Sequence, residues 1–291
     1  MQWKGTGVAL VTPFDSKKKI DFKSLAKVID HCIDGGVNYL VSLGTTGETV
    51  VLSLEEKQEI LNFTKEHVNG RVPLVAGFGG NNTQFIVDKI NSFQLEGYSA
   101  ILSSSPNYNK PTQEGIYQHY KYIAQNTPLP IILYNVPGRT AQNMEAQTTL
   151  RLAHDFSNIV AVKEASNNLL QCMEIVKDMP SNFQLLSGDD VHALPMFSFG
   201  CTGVISVIAQ GIPKSFTSMV NFALEGKFQE ASKEQFKFLE LIKLIFKENN
   251  PAGIKAVLEQ LGLCENELRL PLVPISKALY SEIAEQVKSL R

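Results

Sequence analysis

No apolar run in the sequence approaches ~18 residues, so no segment reads as a membrane-spanning helix. Nor is there a surplus of basic residues: 27 Lys and Arg face 29 Asp and Glu, for a formal charge of -2. Nucleic acid and anionic membrane surfaces call for a basic face, so neither is expected as a partner. The run Lys17-Lys18-Lys19 reads as a solvated turn. Cysteine is scarce: Cys32, Cys172, Cys201 and Cys264 are scattered, with none at the short spacing of a zinc or redox motif. That scatter fits buried thiols in a reducing compartment. Residues 1–12 lack a basic stretch leading into a long apolar one, so a secretory leader is not expected and a cytoplasmic location is. The first apolar run also lacks a Gly-x-Gly-x-x-Gly turn, which speaks against dinucleotide binding.

What the chain does have is alternation. Short runs rich in Val, Ile and Leu occupy residues 7–12, 38–42, 73–77, 100–103, 131–135, 159–163, 183–187 and 203–206. Continuous apolarity of this kind suits parallel strands buried on both faces. Amphipathic stretches lie between them. Asp21 precedes one that should stop near Gly35-Gly36, and Ser53 with Glu56 forms a capping-box pattern. Thr83, Thr112, Asn143 and Asn167 are candidate starts of later helices. Eight strand–helix units in roughly the first 220 residues, nearly evenly spaced, predict a (β/α)8 barrel rather than an open doubly wound sheet. Beyond residue 225 the pattern turns helical. A helix over 227–248 is followed by a cap at Asn250-Pro251, a stop at Gly262 and a last start at Ser276. The expected organisation is a barrel over residues 1–225 with a C-terminal helical extension over 226–291.

In a barrel, residues at the C-terminal ends of the strands converge on one mouth. Lys163 ends the apolar run Ile159-Val160-Ala161-Val162, with no polar residue to carry it into solvent. A nucleophilic amine needs its pKa lowered from ~10.4 to ~7.5, roughly 4 kcal/mol of differential stabilisation, which desolvation supplies in part. The bland alternative is a lysine that snorkels out of the sheet or pairs with Glu164. Tyr134, at the neighbouring strand end, offers a phenol for proton transfer, or simply closes the core. The loop Gly44-Thr45-Thr46-Gly47-Glu48 is a nest for a carboxylate, or a plain turn. Arg139 is positioned to hold a second carboxylate bidentately, or is an ordinary surface arginine. Convergence of the four on one mouth favours the chemical reading.

These same pieces resemble the dihydrodipicolinate synthase family, within the superfamily that includes N-acetylneuraminate lyase. The resemblance runs over the whole chain, from Gly5-Thr6-Gly7 and Thr12-Pro13-Phe14 to the C-terminal helices. It rests on the 44–48 loop, the Tyr134-Asn135-Val136-Pro137 turn and Lys163-Glu164-Ala165, and Gly138-Arg139-Thr140 points to the subfamily. It implies a lyase that joins pyruvate to aspartate semialdehyde as a lysine Schiff base, giving 4-hydroxy-tetrahydrodipicolinate on the diaminopimelate route to lysine.

Residue by residue, the resemblance implies that Lys163 holds pyruvate as an imine and then an enamine, and that Tyr134 shuttles protons. Thr45 links Tyr134 to a second tyrosine, matched by Tyr108, which in this family reaches in from a neighbouring subunit. Thr45 and Thr46 bind the pyruvate carboxylate, Gly188 and Ile205 line the same pocket, and Arg139 receives the aldehyde substrate. A homo-oligomer follows, a tetramer built as a dimer of dimers. No metal and no organic cofactor is called for, because the imine is itself the electron sink. Members inhibited by lysine bind it in a polar cleft; the positions matching that cleft here include Thr49, Leu54, Lys57, Asn81, Phe85 and Asn107, and their chemistry disfavours a cationic ligand. Three other readings stay open: an aldolase for sugar-derived 2-keto acids, a silent keto-acid sensor and a pyridoxal-phosphate barrel.

Overall fold

Runs that are apolar on both faces must be covered on both faces. In the computed structural model of the protein, which describes residues 3–290, eight such runs pair side by side until the last meets the first. They are β1 (Gly5–Ala9), β2 (Tyr39–Ser42), β3 (Leu74–Phe78), β4 (Ala100–Ser104), β5 (Ile131–Asn135), β6 (Ile159–Glu164), β7 (Gln184–Ser187) and β8 (Gly203–Ser206). All neighbours are parallel, and β1 closes the barrel against β8 with Gly7 opposite Ile205.

Two apolar layers result. The outer one lies between strands and surrounding helices; α1 (Phe22–Asp34), for example, gives it Leu25, Val28, Ile29 and Cys32, a stripe at helical spacing. Full burial of each aliphatic side chain contributes about 1.5–3 kcal/mol. The inner layer fills the barrel. Its floor is Trp3 and Tyr39, rings edge-on at 5.3 Å. Gly7 makes room for that floor, since a Cβ there would lie 2.2 Å from the Tyr39 ring.

The first strand begins earlier than the apolar run predicted. Leu10 still donates its amide to the Val41 carbonyl of β2 at 3.0 Å, but residues 11 and 12 leave the ladder: the Val11 amide donates to Gln210 Oε1 at 3.0 Å, and Thr12 Oγ1 to the Gly47 carbonyl at 2.7 Å. They brace the mouth instead of extending the sheet. Other differences concern helix starts. Asp21, Ser53, Thr112 and Ser276 cap as expected, the second as a full capping box. At α3 (Thr83–Ser92), however, Asn82 is the cap, while the Thr83 hydroxyl bonds His119 Nδ1 at 2.8 Å. Asn167 sits at φ 60, outside the extended backbone a cap needs, so Asn168 caps α7 (Leu169–Asp178). Asn143 is spent on Asn135 and Gln171, and α6 (Ala146–Asp155) starts after Glu145.

After β8 comes α9 (Pro213–Leu224), and beyond residue 225 the chain is helical, as expected, through α10 (Phe228–Lys247), α11 (Ala252–Gln260) and α12 (Lys277–Ser289). Asn250 does not cap α11; its amide turns into the barrel mouth and donates to Thr46 Oγ1 at 2.9 Å. No helix among the described residues is long and apolar enough to cross a membrane. All four cysteines are buried and free, and burial pushes the thiols of Cys172, Cys201 and Cys264 up to about 12.

Candidate active site

Tyr134 and Lys163 lie opposite each other where β5 pairs with β6. The pairing skips Val160, because Ile131 faces Ile159 while Ile132 already faces Ala161. That bulge sets the phase of the strand: Ala161 joins the inner layer, Val162 the outer. Lys163 therefore points inward and is only 5% exposed, its Nζ 4.3 Å from the centroid of the Tyr134 ring. It neither snorkels out nor pairs with Glu164.

Glu164 takes the other face. Its carboxylate accepts from Asn135 Nδ2 at 3.0 Å, Gln171 Nε2 at 2.9 Å and the Ser166 amide at 2.7 Å. Burial raises its pKa, and those same hydrogen bonds oppose the rise. The network ties the strand end bearing Lys163 to β5 and α7.

After β2 the chain makes two 3-10 turns, Thr45–Gly47 and Thr49–Val51, joined by Glu48 in the left-handed region at φ 52. A non-glycine residue held there needs strong surroundings. Glu48 has them: its Oε1 accepts from Lys255 Nζ at 2.5 Å, both side chains fully buried, and its Oε2 from the Arg269 amide at 3.1 Å. Lys255 completes its own bonding to the Glu267 carbonyl at 2.7 Å. A buried pair is tolerated when its remaining donors and acceptors are satisfied in this way. Within the loop, Thr46 is 2% exposed and its hydroxyl oxygen accepts from Asn250. Its own proton is thereby left to be donated elsewhere, as a carboxylate nest requires.

Gly188 follows β7 against the same strand end. A Cβ at this position would come within 2.8 Å of Ala165 Cβ and 3.1 Å of Lys163 Cγ. Ile205 is 1% exposed in the inner layer. Beside them Asp190 accepts from the Val207 and Ile208 amides at 3.1 and 2.9 Å and fixes the turn after β8.

A cavity of about 500 Å³ opens at the mouth, with Thr45, Tyr134, Arg139 and Thr140 in its wall. Arg139 sits on the short helix α5 (Pro137–Thr140), exposed, with Nη2 3.4 Å from the Asn250 carbonyl. Among the described residues no hydrogen bond joins the hydroxyls of Thr45 and Tyr134. Tyr108 is not brought to this mouth; it is 90% exposed with φ 63. The residues that hold the site without touching it escaped the sequence reading: Asn250, Lys255, Asp190 and the Asn135–Gln171 pair. One signal existed for Lys255, a lone cation in the apolar stretch Ala252-Gly253-Ile254-Lys255-Ala256-Val257-Leu258.

The geometry can be set beside known proteins. The model of the dihydrodipicolinate synthetase family matches residues 2–290. The 4-hydroxy-tetrahydrodipicolinate synthase of Parabacteroides distasonis is 49% identical, over 99% of this chain and 97% of its own length. The crystal structure of dihydrodipicolinate synthase from Aquifex aeolicus superposes with a TM-score of 0.96 at 38% identity, covering 99% of this chain and 98% of that one. The enzyme from Cyanidioschyzon merolae, solved with lysine bound, gives 0.95 at 34% identity, covering 99% and 98%. A closed barrel with a buried lysine against a tyrosine, matched end to end by these relatives, makes the chain a member of the dihydrodipicolinate synthetase family.

Proposed function

We infer that this chain is a lyase that condenses pyruvate with L-aspartate 4-semialdehyde through an imine on Lys163. The product is 4-hydroxy-tetrahydrodipicolinate, on the diaminopimelate route to lysine. One observation carries the mechanism: a lysine amine buried at a strand end with a phenol ring 4.3 Å away. The neutral Lys163 amine adds to the pyruvate ketone, and water leaves as the imine forms. Tyr134 protonates the departing oxygen. Loss of a methyl proton gives the enamine, whose carbon attacks the aldehyde while the aldehyde oxygen takes up a proton. The second substrate's amine then displaces Lys163 at the imine carbon and closes the ring.

Thr45 and Thr46 hold the pyruvate carboxylate in the loop that Asn250 and Lys255 brace. Gly188 and Ile205 shape the space around the imine, and Arg139 receives the carboxylate of the aldehyde. The chemistry needs neither metal nor organic cofactor. Treatment with pyruvate and borohydride should leave a reduced adduct that maps to Lys163; an adduct on another lysine, or none, overturns the mechanism. Turnover with aspartate semialdehyde but not with N-acetylmannosamine separates this activity from that of the sugar-acid lyases.

The working form we propose is a cytoplasmic homo-oligomer, a tetramer made of two tight dimers. Residues 1–225 form the barrel and 226–291 its extension. Support comes from Tyr108, whose exposed phenol makes no hydrogen bond among the described residues and fits completion of a neighbour's proton relay through Thr45. Mixing Tyr108→Phe with Lys163→Ala should restore part of the activity each lacks, whereas a fully active monomer at assay concentration excludes the arrangement. Lysine should inhibit little. Leu54 and Phe85 are exposed apolar groups, and Asn81 is occupied by the Asn107 amide at 2.9 Å. Saturable inhibition by millimolar lysine would overturn that expectation.

A further inference from the structure

Tyr134 has two neighbours across the sheet. On one side it faces Lys163; on the other, where β4 pairs with β5, it faces Ser104. All three point into the barrel, since each stands two residues beyond a member of the inner layer: Leu102, Ile132 and Ala161. A hydroxyl, a phenol and an amine thus stand in one row across three adjoining strands. Ser104 is half-buried in the wall of the cavity that Tyr134 and Arg139 also line. Its hydroxyl makes no hydrogen bond among the described residues. Gly79 gives that hydroxyl room, because a Cβ there would lie 2.4 Å from Ser104 Oγ. Ser103 and Ser105, on either side in sequence, are buried, and of the three serines only Ser104 lines the cavity.

A hydroxyl partly withdrawn from water, with neither its donor nor its acceptors engaged, is ready to meet a ligand. Pyruvate, once joined to Lys163, lies on the amine side of Tyr134. Ser104 lies on the other side, where the second substrate exchanges a proton with the phenol. We propose that Ser104 is a further catalytic residue, whose hydroxyl donates a hydrogen bond to the aldehyde oxygen as the carbon–carbon bond forms. The assignment rests on the Lys163 mechanism above. In that step the electron pair of the enamine makes the new bond to the aldehyde carbon, and its nitrogen becomes an iminium. The carbonyl π pair moves onto the oxygen, which takes its proton from Tyr134. Ser104 transfers nothing; it stabilises negative charge as it develops on that oxygen. A donor engaged only in the transition state lowers kcat when it is lost and leaves KM alone.

The test compares the assembled wild-type protein with Ser104→Ala and Ser104→Thr. Two things are read on each: the rate at which borohydride traps pyruvate on Lys163, and kcat and KM with aspartate semialdehyde. Ser104→Ala should trap pyruvate at the wild-type rate, while its kcat and kcat/KM for the aldehyde fall together by about ten- to a hundred-fold. Ser104→Thr keeps a hydroxyl and should regain most of that loss. An alanine variant as fast as wild type, or one slowed equally in trapping, overturns the contact. So does a threonine variant no faster than the alanine. A wild type that traps no pyruvate on Lys163 overturns the proposed function and this contact with it, whereas normal trapping with an unchanged alanine variant overturns the contact alone.

Discussion

Gly188 has no side chain, and the space it leaves belongs to Lys163. A methyl group there meets Ala165 Cβ and Lys163 Cγ at 2.8 and 3.1 Å, so the lysine must turn or the strand end must shift. Gly188→Ala should therefore slow formation of the trapped pyruvate adduct by at least ten-fold while circular dichroism stays unchanged; an unaltered trapping rate would show that the lysine has slack. Arg139 makes the complementary case at the edge of the mouth. Loss of its charge-assisted hydrogen bonds should weaken apparent aspartate-semialdehyde binding about ten- to a hundred-fold in Arg139→Ala, with pyruvate nearly unaffected. Equal losses for both substrates would assign Arg139 to structure. The places of Lys163, Tyr134 and the threonines at strand ends could be read from the sequence because each follows a plain apolar run. Asn250 could not, since what matters is a contact made across 204 residues, and its neighbour Pro251 gave it the look of a helix start.

At the scale of elements, bounds drifted where a short-range signal and a tertiary demand disagreed. β1 starts at Gly5 although glycine is a poor strand former, because Gly7 has to admit the Tyr39 ring. Of the apolar residues that follow, Leu10 still bonds β2 through its amide, while Val11 turns its amide to Gln210. The outline was legible because a parallel strand buried on both faces writes a plain apolar run; the bulge at Val160 was not, since one skipped residue leaves no mark in composition. The turn after β8 carries a pH signature. Burial holds the Asp190 carboxyl up at about 6, against 3.8 ordinarily. Between those values the native state binds a proton that the unfolded chain does not. The group thus favours the native state fully below pH 4, and that contribution disappears as pH rises through about 6. Its span is about 3 kcal/mol at most. In Asp190→Asn, which still accepts from the Val207 and Ile208 amides, denaturation midpoints should lack this decline between pH 4 and 7. Parallel curves for the two proteins would exclude the assignment.

At the scale of the molecule, the C-terminal helices and the loop after β2 stand or fall together. Lys255→Met strands the Glu48 carboxylate in the interior, at a cost of about 3–5 kcal/mol. The thermal midpoint should drop accordingly, and the apparent KM for pyruvate should rise as the Thr45–Gly47 turn loosens. Adding Glu48→Gln removes the stranded charge and should recover most of the stability. If the double variant is no more stable than Lys255→Met, packing rather than charge dominates. The architecture of the barrel was readable in eight repeats; this bond between the loop after β2 and α11 was not, because no local pattern records which buried cation meets which buried anion.

The Glu48–Lys255 pair also sets a clock. A chain is made from its N-terminus, and Lys255 is added 207 residues after Glu48. At about 5–20 residues per second, roughly 10–40 s separate the emergence of the carboxylate from that of its cation. Through that interval every strand can leave the ribosome while the turn carrying Thr45 and Thr46 has only the Thr12 hydroxyl, at Gly47, to close upon. Chains still being made should thus hold the turn meant for a keto acid less firmly than finished ones. Full affinity for pyruvate should therefore arrive late, with α11.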